Sequence, residues 1–335
     1  MTLFRLPGFP SPGDPSGITS GPDGNLWFTV NETNIVGRIT TAGVITEFPT
    51  PTNPSGPGGI TAGPDGALWF GEEAANAVGR ITTNGQFTEF LMPTPTSRGG
   101  PREITVGSDG NLWFTEPLKD TIGRITPAGV VTEFTIPYYP SGPGGIAAGP
   151  DGNLWFTTYS GWIGRVTTAG GFVQFSIPSI GPYLYGISQG PDAAMWFTEG
   201  GVNKIGRITT RGGVTEFPVS LPPGEYGSDP AGIRTGPDGN LWFTEFSGSS
   251  IASMTPSGVV THYHLPSNYP TSMSFAITVG PDRNIWFTEW RYALIGQVTV
   301  PVVPNAAPVP TASASALLTL AILIGAAGSM LILRS

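Results

Sequence analysis

The stretch ITAGPDGALWFGEEAANAVGRITTNGQFTEFLM, residues 60–92, decides the fold. Four short runs with strand character are separated by turn residues. Ile60 to Gly63 predicts strand A, and Gly63-Pro64-Asp65-Gly66 a tight turn. Leu68-Trp69-Phe70 predicts strand B, and Val78 to Thr82 strand C. Asn84-Gly85 predicts a two-residue type I′ hairpin into strand D, Gln86 to Phe90.

The same wording recurs along the chain. Trp-Phe appears with Trp at 27, 69, 113, 155, 196, 242 and 286, spaced 41 to 46 residues apart. Four antiparallel strands at that period make one blade of a β-propeller, so seven copies predict an all-β, seven-bladed propeller over residues 1–300. The last copy stops after Thr299 without a strand D, while Leu3-Phe4-Arg5-Leu6-Pro7 aligns with a strand D that has no blade. The N-terminal strand is therefore expected to complete blade seven and close the ring, removing the exposed sheet edges.

Composition narrows the function classes. Of 335 residues, 49 are Gly and 35 Pro, a level that would suggest low complexity without the repeat and nine Trp. Net charge is −8, which argues against nucleic acid as a partner. Seven Asp of the A–B turns contribute much of it, because setting them aside leaves 16 acids against 15 bases. Without Cys there is no thiolate chemistry and no Cys-ligated metal, and two His leave little room for acid–base catalysis.

Charges that repeat from blade to blade read first as structural. Arg38, Arg80, Arg124, Arg165 and Arg207 occupy one strand C position, and Glu47, Glu89, Glu133 and Glu216 one strand D position. A two-residue turn sets them opposite each other as cross-strand ion pairs. Asp23, Asp65, Asp109, Asp151, Asp192, Asp238 and Asp282 are expected to bond their own turn backbone.

The D–A and B–C loops share one face of the disc and vary in length and content. Eight of nine Tyr fall there: Tyr138, Tyr139, Tyr159, Tyr183, Tyr185, Tyr226, Tyr269 and Tyr292, with Trp162, Phe246, Phe275 and Trp290. Such aromatics suit an unknown small-molecule, peptide or protein partner, and Tyr183, Tyr185, Tyr226, Trp290 and Tyr292 are the candidate contacts. The bland alternative is packing over the blade ends. Strand B ends on this face at Glu116, Glu199, Glu245 and Glu289. Converging on the channel these could hold Mg²⁺ or Ca²⁺; otherwise each accepts backbone hydrogen bonds.

The words G-P-D-G-N-L-W-F-T-E, K-I-G-R-I-T and T-E-F-P closely resemble the virginiamycin B lyase (streptogramin lyase) family of seven-bladed propellers, over about residues 1–300. That resemblance implies a carbon–oxygen lyase that opens the ester of a cyclic depsipeptide by elimination. It implies a general-base His two residues before a strand A Ile, and Mg²⁺ held by carboxylates, one of them the Glu after W-F-x. Here that base position holds Ser16, Gly58, Arg102, Gly144, Tyr185, Ala231 and Phe275, none of them His. Glu289 matches the metal-binding Glu and Met273 stands at the second carboxylate. The only His, His262 and His264, fall on strand D of blade six and are expected at the surface.

Pro301 to Ser315 is a Pro/Ala/Ser-rich linker, and residues 316–335 form a hydrophobic tail. Its 18 uncharged residues, Ala316 to Leu333, would span about 27 Å as a helix, enough to cross a bilayer. The Pro-Val-Pro-Thr start, apolar run and terminal Arg334 resemble bacterial IPTL-type protein-sorting tails, which implies a membrane or cell-surface address. Such tails accompany an N-terminal signal peptide, which Met1 to Pro10 is not, so either the start is misassigned or the tail anchors the propeller. Two functions remain open: an anchored, monomeric lyase-like propeller that binds through its aromatic face without lyase activity, or an active lyase using Mg²⁺ and another base.

Overall fold

The computed structural model describes residues 1–7, 14–94, 99–138, 141–221, 227–269 and 273–301. The hydrophobic tail falls outside them. Seven four-stranded antiparallel sheets follow one another, each in the order A-B-C-D. Blade two is typical, with strands Pro57–Ala62, Leu68–Glu72, Ala77–Ile81 and Phe87–Leu91. Among the described residues the helical structure is two short 3₁₀ turns, Pro117–Lys119 and Gly200–Val202.

The ring closes as expected. Thr2–Arg5 pairs with Leu294–Val298 and supplies strand D of blade seven. Phe4 stacks on Trp286 at 5.5 Å, as Phe48 does on Trp27 at 5.4 Å and Phe90 on Trp69 at 5.4 Å. The N-terminal strand thus makes the contact its counterparts make elsewhere.

Strand B carries the core. All seven Trp and the Phe that follow them are fully buried. Each Trp packs into the core of the next blade: Trp69 lies with Leu112 and Phe114, and Trp286 closes the circle against Leu26 and Phe28. Burying one indole contributes about 4 kcal/mol, so the inter-blade contacts rest chiefly on these seven side chains. The Phe ring needs room in strand C. Gly79 provides it, because a Cβ there would overlap the Phe70 ring. The Thr after Trp-Phe joins neighbouring blades: Thr29 Oγ1 accepts from Gly17 N at 2.9 Å and donates to the Gly58 carbonyl at 2.5 Å.

The turn between strands C and D differs from the expected type I′ form. Gly85 N donates to the Thr82 carbonyl at 2.8 Å and Thr82 N to the Gln86 carbonyl at 3.0 Å. Only Gly85 of the loop has positive φ, +86°, so this is a three-residue type I turn with a G1 bulge. One extra loop residue slips the register by one, which sends facing side chains to opposite faces. Arg80 consequently opposes Thr88, and Glu89 opposes Gly79. The Arg–Glu pairs expected from sequence do not form.

The Arg instead reaches its own A–B turn. Arg80 Nε donates to Asp65 Oδ2 at 2.7 Å, and Asp65 Oδ1 accepts from the Trp69 indole at 2.9 Å. Ion pairs Arg38–Asp23, Arg165–Asp151 and Arg207–Asp192 repeat the arrangement, and Gln297 in blade seven donates to Asp282. The guanidinium also lies over the Trp ring, 5.8 Å from its centroid for Arg80 and Trp69. Turn Asp, core Trp and strand C Arg form one unit.

Candidate functional site at the channel mouth

Successive strands A pack side by side around the axis and line a central channel. A cavity of about 160 Å³ in it is lined by strand A residues of all seven blades. Most of these are Gly, Ile or Thr. Blade three departs from the rule, with Arg102-Glu103 where the other blades hold Ser, Gly, Tyr, Ala or Phe and then Gly or Ala. Blade six adds Arg234 one residue beyond its Ile. A second cavity, about 210 Å³, is lined by Asp14, Asn31, Glu73, Arg102, Phe275 and Trp290, among others. Arg102 and Phe275 belong to both cavities.

Electrostatics in the channel are set by burial and by these few charges. Burial raises the pKa of Glu103, opposed by Arg102 and Arg234. For Arg102, burial acts downward but Tyr159, Glu73 and Glu103 outweigh it, leaving the pKa raised. Burial lowers that of Arg234, with Glu103 opposing. Arg234 stays exposed to solvent although protein surrounds it, as befits a side chain projecting into an open channel. At the mouth, burial lifts Asp14 to about 6, offset in part by a hydrogen bond from Trp290 and assisted by Glu32.

Of the aromatic candidates, two reach the cavities. Tyr185 lines the channel beside Tyr159, with ring centroids 6.2 Å apart. Trp290 lines the mouth and leans on Phe246 at 5.8 Å, which in turn meets Phe275 at 6.4 Å. Tyr183 is exposed, and Tyr292 packs edge-on against Tyr269 at 5.1 Å; neither lines these two cavities. Tyr138 covers the end of blade four, edge-on to Trp162 at 5.9 Å. Tyr139 and Tyr226 lie outside the described residues.

The strand B carboxylates are fully buried; Glu116, Glu245 and Glu289 have partners in their own blade or its loops, and neither oxygen of Glu199 has a hydrogen-bond partner. Glu116 accepts from Lys119 at 2.6 Å, and Lys119 also donates to Glu133 at 3.1 Å. Burial pushes Glu116 up to about 7. Glu199 is likewise raised to about 7 by burial, near Glu216, which accepts from Lys204 at 2.7 Å. Glu245 accepts from Ser250 and faces His262 Nδ1 at 2.9 Å. Glu289 accepts from the backbone N–H groups of Met273 and Tyr292, both at 2.7 Å, and of Arg291 at 3.2 Å. Among the described residues, no three His, Asp or Glu side chains gather as a metal site would require. With its oxygens taken by backbone donors and Met273 beside it, Glu289 lacks the second carboxylate that Mg²⁺ coordination needs here.

His262 departs from the expected surface position. Its side chain is only 12% exposed and bridges Glu245 to the Ser220 carbonyl, 2.8 Å from Nε2. It takes the place that Glu89 and Glu216 fill in their blades, where these bind Thr52 and Ser179 of the preceding loop. His264 is exposed.

Residues 1–99 and 93–317 match the virginiamycin B lyase family. The chain belongs to that family. It is 36% identical to a virginiamycin B lyase from Staphylococcus aureus, over 90% of this chain and 99% of that one, with a TM-score of 0.81. A streptogramin B lyase is 34% identical over 90% and 97% of the two chains, TM-score 0.82. A catalytically inactive His-to-Ala form of the staphylococcal enzyme, solved with quinupristin, is 36% identical over 90% and 99%, TM-score 0.81. No curated protein sequence matches the chain.

Four residues of the mouth and channel escape a reading by motif: Asp14, Glu73, Glu103 and Arg234. Comparing blades at each strand A position would have picked out Glu103 and Arg234 as charges in an otherwise neutral ring. Asp14 and Glu73 are brought to the mouth by loops of unequal length and carry no such signal.

Proposed function

We propose that this member of the virginiamycin B lyase family binds a ligand at the channel mouth and does not carry out the elimination reaction. The observation behind this reading is the set of side chains two residues before each strand A Ile. All seven positions, Ser16, Gly58, Arg102, Gly144, Tyr185, Ala231 and Phe275, are represented among those lining the cavities, and none is His. An elimination requires a base at the substrate proton, and a Phe ring cannot supply one. Neither His of the chain can stand in, because both lie on strand D at the rim while strand A lines the channel. The inactive His-to-Ala staphylococcal form, in company with quinupristin, supports the separation of binding from turnover in this family.

Trp290, Phe246 and Phe275 offer the ligand flat apolar area, and Asp14, Glu73 and Arg102 its polar contacts. The propeller acts as a monomer, and the run Ala316 to Leu333 holds it at a membrane or cell surface. Purified protein incubated with virginiamycin B and Mg²⁺ is expected to quench Trp fluorescence without forming ring-opened product by mass spectrometry. Appearance of that product overturns the reading. Membrane attachment predicts that the full chain sediments with membranes and that a chain ending at Val300 does not.

A further inference from the structure

The charged groups of the channel face one another without closing. Arg102, Glu103 and Arg234 all line the 160 Å³ cavity, and Glu103 feels both guanidinium groups electrostatically. Yet among the described residues none of the three side chains makes a hydrogen bond or an ion pair. The hydroxyls of Tyr159 and Tyr185, lining the same cavity, also lack a partner among them. None of these atoms is sealed from solvent. Glu103 is held aside because its carboxylate lies against Gly59 of blade two, where a Cβ would come within 2.5 Å of Oε2.

Charged and hydroxyl groups that face the cavity without a protein partner are available to hydrogen-bond a group bound there. The inventory is lopsided. Two guanidinium groups with five N–H donors each and two phenol O–H donors meet a single carboxylate. The lining carries two positive charges against one negative, so an acceptor-rich, negatively charged group fits it. We infer that the channel cavity binds the oxyanion group of a small ligand, a carboxylate or a phosphate, between Arg102 and Arg234. Tyr159 and Tyr185 donate to the same oxygens, and Glu103 takes a hydroxyl or amine hydrogen of the ligand. The inference rests on the mouth being a ligand site and names what the inner end of that ligand carries, since Arg102 lines both cavities.

Titration calorimetry of the full chain tests this with sodium phosphate and sodium acetate as separate arms, at ionic strength fixed with chloride. Saturable binding of at least one anion is expected, and the stronger arm identifies the source. Arg102→Met and Arg234→Met should each weaken it about tenfold or more, as loss of a charge-assisted hydrogen bond implies. Glu103→Gln should tighten it several-fold, the opposite of what a merely structural Glu103 would do. No saturable binding of either anion overturns the inference, as does affinity indifferent to both Arg substitutions or weakened by Glu103→Gln. Virginiamycin B quenching that persists while both anions fail to bind would sink the oxyanion site and leave the mouth reading intact.

Discussion

Glu72 should make the propeller less stable as pH rises, and Glu72→Gln should remove that dependence. The carboxyl is fully buried at the end of strand B in blade two, and neither oxygen has a hydrogen-bond partner. Blades three and five place Lys119 and Lys204 at the equivalent pairs of acids, and blade six places His262. In blade two the residue opposite Glu72 is Ala77, which brings no charge. Burial, with Glu89 adding repulsion, pushes Glu72 from 4.5 up to about 8. A native pKa above the unfolded one contributes stability that is complete below pH 4.5 and is lost as pH climbs through 8. At 1.36 kcal/mol for each unit, the loss between pH 5 and 8 is about 3 kcal/mol. Urea denaturation of wild type and Glu72→Gln at pH 5 and pH 8 isolates this residue, because other buried acids contribute equally to both proteins. The wild type should lose about 3 kcal/mol more than the variant over that interval. The two should be of similar stability at pH 5, with Gln the more stable at pH 8. Parallel pH profiles would show that Glu72 is ionised in the fold and would refute the account of an acid buried without a partner.

Three further outcomes follow from the packing. A double-mutant cycle of Arg80→Met with Asp65→Asn should give a coupling of about 1 kcal/mol, and with Glu89→Gln about zero, by denaturant melts; the reverse ranking would restore the cross-strand pair. Gly79→Ala forces a methyl into the Phe70 ring and should cost about 3 kcal/mol or more, whereas Gly66→Ala, with φ of +74° and open space around it, should cost about 1 kcal/mol. Removing residues 1–7 leaves the outer edge of strand C of blade seven unpaired and Trp286 without Phe4, so the melting temperature should fall by about 10 °C or more; an unchanged value would refute closure by this strand.

Fold and site were legible to different degrees, for a physical reason. Repetition multiplies a weak signal: one Trp-Phe says little, but seven copies at a steady spacing fix blade number, strand order and the closing strand. The turn geometry was not fixed that way. Asn84-Gly85 suits a two-residue loop and a three-residue bulged loop alike, and the difference of one residue decides whether Arg80 meets Glu89 or Asp65. Pairing read from conserved spacing within one chain was therefore persuasive and wrong. The strand B Glu were read from the motif W-F-T-E, which hid Glu72 behind Gly71. Their partners lie within the blade and its loops, Glu133 through Lys119 for Glu116, His262 for Glu245 and loop backbone for Glu289.

The blades also show why departure from the repeat locates the site better than the repeat itself. A residue shared by seven blades answers a demand that each blade makes, such as room for a Phe ring or an acceptor for an indole. Function at a sevenfold axis needs asymmetry, because a ligand without sevenfold symmetry cannot use seven equal contacts. Arg102, Glu103 and Arg234 supply that asymmetry in the channel, and Asp14, Phe275 and Trp290 supply it at the mouth. Apart from Asp14, which blade six matches with Asp229, each stands where its counterparts are small, neutral or differently shaped. A strand A charge without a protein partner adds nothing to the ring that Gly or Thr at the same place would not. Its retention beside an unclosed partner is accounted for by what the channel binds rather than by the stability of the ring.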